Sequence, residues 1–198
     1  MEFQDVVRKR KMVRSFTAAP IDPPVLDRII ANAQRAPSAG FSQGWAFLVL
    51  NGAEETERYW NTTMAPERRA EFGWPGIFKA PVLVLCLSNK SAYLERYARP
   101  DKGWADRDEH RWPVPYWDID TGMAGLLILQ TAVDAGLGAV FFGVFDQTAV
   151  RTAFGIPEEY AIVGTIAIGH PAPSDRPSPS IAIVGKRKAS DVVHRGTW

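Results

Sequence analysis

Apolar residues recur along this chain with two different periods. Between Asp22 and Ala33 they fall at Val25, Leu26, Ile29, Ile30 and Ala33, the three- and four-residue spacing of one helix face. Asp22 followed by Pro23 marks the start of that helix, because proline at the first helical position gives up no hydrogen bond. Residues 46–50 (AFLVL), 82–88 (VLVLCLS), 139–145 (AVFFGVF) and 162–169 (IVGTIAIG) are short unbroken apolar runs and read as buried strands. Further helices are expected at 2–12, 54–63, 66–71 and 90–97, and from a cap at Asp146 to Phe154. The best helix is Asp118 to Ala135, where Met123, Leu126, Leu127, Ile128, Leu129 and Val133 lie on nearly every face. A helix that is apolar all round must be covered all round, at the centre of the domain or by a second subunit. Gly136 ends it, and the tail IAIVGKRKASDVVHRGTW can add a further strand before its basic cluster. Helices interleaved with central strands give an α+β sandwich of helices around one sheet. No repeat or linker divides the chain, so residues 1–198 read as one domain.

Composition narrows the function classes. The 198 residues are 46% apolar and 23% charged, enough for a sizeable core. Lys+Arg number 23 against 22 Asp+Glu, a net charge of +1, so no global field recruits nucleic acid or an anionic membrane. The single cysteine, Cys86, excludes a disulfide framework and a cysteine-based zinc or iron–sulfur site, and points to a reducing compartment. The start, MEFQDVVRKRK, has no apolar core of signal-peptide type. The run Gly122–Leu129 is eight residues, short of the ~18 that a membrane span needs. A cytoplasmic protein is expected. Residues 170–180 (HPAPSDRPSPS) read as an extended surface excursion, and Arg96 to Arg111 as a solvated loop or short helix.

Several motifs invite chemistry. Gly40-Phe41-Ser42-Gln43-Gly44 spells G-x-S-x-G, yet a helix precedes it and a strand follows, the reverse of a nucleophile elbow. Hydrolysis through Ser42 is an alternative with that order against it. The run Arg8 to Arg14 holds five cations in seven positions, and Arg10 and Arg14 share a helical face that can converge on a phosphate. A second cluster, Lys186-Arg187-Lys188, lies near the other end. Neither a G-x-G-x-x-G fingerprint nor a P-loop is present, so an anion is held some other way. The three histidines have no metal-ligand spacing, and no metal is expected. Seven Trp and ten Phe exceed what a core of this size needs, so some can wall a planar aromatic ligand.

Four of these pieces, in order, resemble the flavin-dependent nitroreductases. RKRKMVRSF (8–16) followed by Pro20-Ile21 is similar to the family's R-x-S-x-R-x-F opening, and APSAGFSQGWAFLVL (36–50) to its APS-x-x-x-x-QPW run. The helix ending in Ala135-Gly136-Leu137-Gly138 leads into AVFFGVFD, and FGIPEEY…IVGTIAIGHP with the basic cluster resembles the family's ending. The resemblance implies a homodimer with a mainly antiparallel central sheet and FMN at the subunit interface. It places Arg10, Lys11, Met12 and Arg14 at the phosphate and ring, and Pro37, Ser38 and Ala39 in a loop contributed by the partner subunit. It also places Phe141, Phe142, Gly143 and Val144 at the strand end beside the ring, with the Gly143 N–H toward flavin N5, and Arg187 at the phosphate. Lys11 is the candidate cation for the pyrimidine edge.

The implied activity is ping-pong. NAD(P)H gives a hydride to the flavin and leaves, and a small electron-poor acceptor (nitroaromatic, quinone or enone) takes the reducing equivalents. No side-chain acid or base is required, so no catalytic residue is assigned. The alternative within the same fold is a protein that sequesters flavin without turnover. Met12 stands where a hydroxyl or carboxylate is common, Phe41 where asparagine often stands, and Gly44 replaces the proline before Trp45. The branch that fragments flavin to dimethylbenzimidazole has aspartate at the Met12 position, which argues against that activity here.

Overall fold

Residues Val82–Asn89 are the most deeply buried strand, and their alternation builds a two-sided core. Val82, Val84 and Cys86 face one layer, and Leu83, Leu85 and Leu87 face the other. Successive strand side chains point to opposite faces, so an unbroken apolar run is what a strand covered on both sides requires. The computed structural model describes residues 1–198. Its helices and strands begin with α1 (Phe3–Lys9), α2 (Pro23–Ala33), β1 (Trp45–Asn51), α3 (Ala53–Thr63) and α4 (Pro66–Ala70). There follow β2 (Val82–Asn89), α5 (Lys90–Tyr97), α6 (Tyr116–Asp134), β3 (Gly138–Phe142), α7 (Gln147–Phe154), β4 (Tyr160–Gly169) and α8 (Ser180–Val184). The four strands pair in the order β1-β2-β4-β3, every pair antiparallel.

The α+β sandwich expected from the sequence is the observed architecture. On one face lie α2, which buries Leu26, Ile29 and Ala33, and α6. On the other lie α3 and α7, with Tyr59, Trp60 and Val150 buried against Leu83, Leu85 and Val140. Asp146 caps α7 by accepting the Ala149 N–H.

Several boundaries differ from expectation for physical reasons. The first helix ends at Lys9 rather than Met12, because residues 12–13 are drawn into backbone pairing with β3. The strand expected over 139–145 stops at Phe142, and Gly143–Phe145 leave the sheet. β1 is a half-buried edge strand in which only Leu50 is fully covered. Helix α6 is covered on its sheet side, where Ala124, Gly125, Ile128 and Ala132 are buried, while Ile119, Met123 and Leu126 stay exposed. The tail forms α8 instead of a strand, and all hydrogen bonds of residues 177–198 are among themselves. Residues 170–175 are pinned, not free. Thr17 N–H donates to the His170 carbonyl and Ala172 N–H to the Ser15 carbonyl, each at 2.9 Å. The 96–111 stretch is likewise anchored, with Trp104 and Trp112 packed against Tyr97. No helix is long and apolar enough to cross a membrane.

Candidate functional site

The basic segment reaches its place through the backbone. Met12 forms a parallel bridge with Ala139, and Val13 donates its N–H to the Ala139 carbonyl at 3.0 Å. Gly138 permits this approach: a Cβ there would lie 2.7 Å from Val13 Cγ2. Arg10 to Arg14 therefore run beside β3, and Arg14 lines the same cavity as Phe141 and Phe142. Two of the sequence-predicted groups are brought together in this way.

Within that segment the side chains diverge. Met12 packs against both core layers, which accounts for an apolar residue at this position. Lys11 Nζ is 2.9 Å from Asp175 Oδ2, with the lysine side chain 62% exposed. Asp175 also accepts the backbone N–H groups of Arg14 (2.9 Å) and Ser15 (3.2 Å), and its side chain is 4% exposed. A carboxylate with three donors is a firm anchor. Arg14 donates to the Met12 carbonyl and lies 5.3 Å over the Trp74 ring. The Arg10 guanidinium has no partner within the chain.

At the end of β3, Phe142 stacks on buried Trp60 with centroids 5.6 Å apart. Gly143 follows outside the strand, exposed, with its N–H donated to no internal acceptor. Beside it is a cavity of about 130 Å³, walled by Arg14, Trp60, Phe72, Trp74, Phe142 and Phe145 among others. The indole N–H groups of Trp60 and Trp74 are buried there without a partner. The Trp112 indole N–H, away from this cavity, is likewise buried without a partner, so the donor that stands open at the end of β3 is the exposed Gly143 N–H. The volume holds one ring of a larger planar group.

Pro37, Ser38 and Ala39 lie elsewhere. Ala39 donates its N–H to Asp120 Oδ2 on α6 at 2.8 Å, and the turn leads into β1. β1 and β3 are opposite edges of the sheet, two strands apart. At the usual strand spacing that separates them by about 14 Å. Arg187 is also remote from the basic segment in its contacts, since its guanidinium bonds only the Asp191 carbonyl. Ser42 donates its hydroxyl to the Ala39 carbonyl at 2.6 Å and hydrogen-bonds no histidine, which leaves hydrolysis unsupported. Burial pushes the Cys86 thiol up to about 12, so it stays protonated in its strand.

Trp74, Asp120 and Asp175 escaped the sequence reading. Trp74 sits in a Gly/Pro-rich turn with no periodicity, and Asp175 sits in a Pro/Ser stretch that reads as solvent-facing. Asp120 had the one usable signal, a carboxylate at a core-facing position of an apolar helix.

Comparison with known proteins accords with this arrangement. The chain is 27% identical over 188 residues to an NADH dehydrogenase of Thermus thermophilus, covering 86% of this chain and 87% of that one. It is 27% identical over 201 residues to a 5,6-dimethylbenzimidazole synthase of Rhodospirillum rubrum, covering 94% and 90%. A nitroreductase family protein from Streptococcus pneumoniae has the same fold, with a TM-score of 0.74 at 18% identity over 98% of this chain and all of that one. The nitroreductase family model matches residues 7–170, which include both the basic segment and the end of β3. On that match the chain belongs to the nitroreductase family.

Proposed function

We propose that this protein is an FMN-dependent oxidoreductase that takes reducing equivalents from NAD(P)H and passes them to a small electron-poor acceptor, working as a homodimer. The observation that carries the reading is the unpaired, exposed Gly143 N–H beside Arg14 and the aromatic-walled cavity at the end of β3. A flavin offers acceptors along its ring edge and a phosphate at its other end, and this donor set suits both. When bound, the flavin supplies the redox chemistry: NAD(P)H gives it a hydride and leaves oxidised, and the acceptor takes two electrons with protons from water.

The chain's own residues bind and orient. Gly143 N–H would hold N5, and Phe141, Phe142 and Val144 would bring the strand end against the ring. Lys11, paired with Asp175 through one of its three N–H donors and 62% exposed, would approach the pyrimidine edge together with Arg14. Arg10 and Arg187 would hold the phosphate through charge-assisted hydrogen bonds. Pro37, Ser38 and Ala39 would reach the ring from a second copy, since their turn leads into β1, at the sheet edge opposite β3. The exposed stripe Ile119, Met123 and Leu126 on α6 is the surface that such a copy would cover.

The test is direct. The purified protein should be yellow, and stopped-flow mixing with NADH and NADPH should bleach it. Colourless protein that takes up no added FMN would sink the reading. Bound FMN that neither nucleotide reduces would leave a sequestering protein.

A further inference from the structure

The turn from Ser38 to Gln43 is strained and tightly held. Gly40, Phe41 and Gln43 all have left-handed backbone angles, with φ of 60°, 57° and 51°. Glycine adopts that region freely, but a bulky aromatic residue there is an outlier that persists only when its surroundings over-determine it. They do so here. Phe41 N–H donates to the Ser38 carbonyl at 3.0 Å, Ser42 Oγ–H to the Ala39 carbonyl, and Gln43 N–H to Ser38 Oγ at 3.0 Å. From α5, Arg96 Nε donates to the Gly40 carbonyl at 2.7 Å, and the same guanidinium is forked onto both oxygens of Asp101. The Tyr97 ring lies under Gly40, so close that a Cβ there would be 2.6 Å from it.

Behind the turn is Asp120, which is 1% exposed. Its Oδ2 accepts the Ala39 N–H and the Tyr93 hydroxyl, each at 2.8 Å, with no cation in contact. A buried carboxylate is costly unless its donors hold it in place, and these two fix Ala39 to the domain.

What the clamped turn displays is one side chain, the Phe41 ring, 74% exposed. Strain here brings no packing within the chain. Asparagine or glycine would make the same turn with less strain. The turn therefore holds an aromatic ring out from the fold at a cost in backbone strain.

We infer that Phe41 is a specificity-determining residue that stacks on planar aromatic acceptors, with Asp120 as the positioning residue that holds its turn. This rests on the oxidoreductase reading above, in which the turn faces the partner's flavin site. An aromatic ring favours offset or edge contact with another π-system, so quinones and nitroarenes gain from it and acceptors without a ring do not.

The deciding variant is Phe41→Asn, which keeps a residue tolerant of the left-handed region and removes the ring. Flavin-loaded wild type, Phe41→Asn and Phe41→Tyr are compared with 2-methyl-1,4-naphthoquinone and with ferricyanide. Naphthalene-2-carboxamide, which is redox-inert, is titrated by its perturbation of the flavin absorbance. For Phe41→Asn, kcat/KM for the quinone and affinity for the carboxamide should each fall about tenfold, the upper end of an aromatic pair's worth. Ferricyanide reduction and flavin affinity should hold, the melting temperature should rise by a few degrees as the backbone strain is relieved, and Phe41→Tyr should behave as wild type. Asp120→Leu should expose the Ala39 amide to hydrogen exchange and lose the quinone preference. Asp120→Asn, whose amide oxygen can accept both bonds, should retain both. Unchanged quinone preference in Phe41→Asn, or equal losses with both acceptors, overturns the proposal while leaving the oxidoreductase reading intact. Wild-type protein that binds no flavin overturns both. If Asp120→Leu does not fold, Phe41→Asn and the Asp120→Asn exchange measurement still decide.

Discussion

Val13 donates its backbone N–H to the carbonyl of Ala139, and Gly138 lies under the Val13 side chain with no room for a methyl group. That contact sets the basic segment beside β3. Gly138→Ala should destabilise the protein by about 1–3 kcal/mol, the usual cost of overpacking a filled contact, and should weaken FMN binding by displacing Arg10 and Arg14. Adding Val13→Ala should recover part of the stability, since the two changes share one contact. Urea unfolding and FMN titration of the single and double variants check both parts.

A second expectation concerns assembly. Ile119, Met123 and Leu126 lie at three- and four-residue spacing on the open side of α6 and are exposed in the single chain. The wild type should sediment near 44 kDa, twice the 21.9 kDa chain mass. Met123→Glu puts a charge on that stripe without touching the sheet side of the helix. It should give a folded protein of half the mass that has lost FMN. A flavin-loaded monomer, of either protein, would refute the shared site.

The elements were readable because the signals that specify them are local. The unbroken apolar run over 82–88, the Asp-Pro start of α2 and Gly136 at the end of α6 act within a few residues and survive in the fold. Tertiary pairing is where local reading fails. Nothing near Arg10 says that the helix must stop for a bridge to Ala139, and nothing near Gly143 says that the strand ends one residue earlier. The candidate ligand-binding groups were named from family spacing, whereas the residues that orient them were not. Asp175 and Asp120 act across the chain on Lys11 and Ala39, and no periodicity encodes such pairs.

Alkaline pH offers a test of the core. Burial pushes the Tyr59 phenol up to about 12, only partly offset by its hydrogen bond with Thr165, and pushes the Cys86 thiol up to about 12. Burial and the Asp120 carboxylate also drive the Tyr93 phenol upward. These acids stay protonated in the folded chain after their unfolded counterparts have ionised. Their contribution is complete below the unfolded values and falls as pH rises from about 9 for the thiol and about 10 for the phenols toward 12. Each group can add a loss of about 1.4 kcal/mol per pH unit. Tyr59→Phe should cost about 1 kcal/mol at pH 7, through the lost hydrogen bond, and flatten the slope above pH 10. Urea midpoints from pH 8 to 11 for both proteins would reveal it. Equal slopes would mean that Tyr59 is hydrated.

The last prediction concerns the two ends of the chain. Arg10 has no internal partner, and Arg187 touches only its own tail, whose residues 177–198 make no hydrogen bond to the body. Neither guanidinium is therefore needed for a contact within the core. If both hold one phosphate in the assembled dimer, each should contribute about 1.5–3 kcal/mol as a hydrogen bond to a charged group. Arg187→Ala should then weaken FMN binding by about 10- to 150-fold. Riboflavin, which lacks the phosphate, should bind the wild type more weakly and respond little to the substitution. Arg10→Ala should behave in the same way, and the double variant should lose less than the sum of the two, because both act on a single anion. Dissociation constants of the two flavins for all four proteins, at fixed ionic strength, separate the possibilities. Equal losses for FMN and riboflavin would assign Arg187 to the ring or to assembly, and additive losses would place the two arginines on different groups.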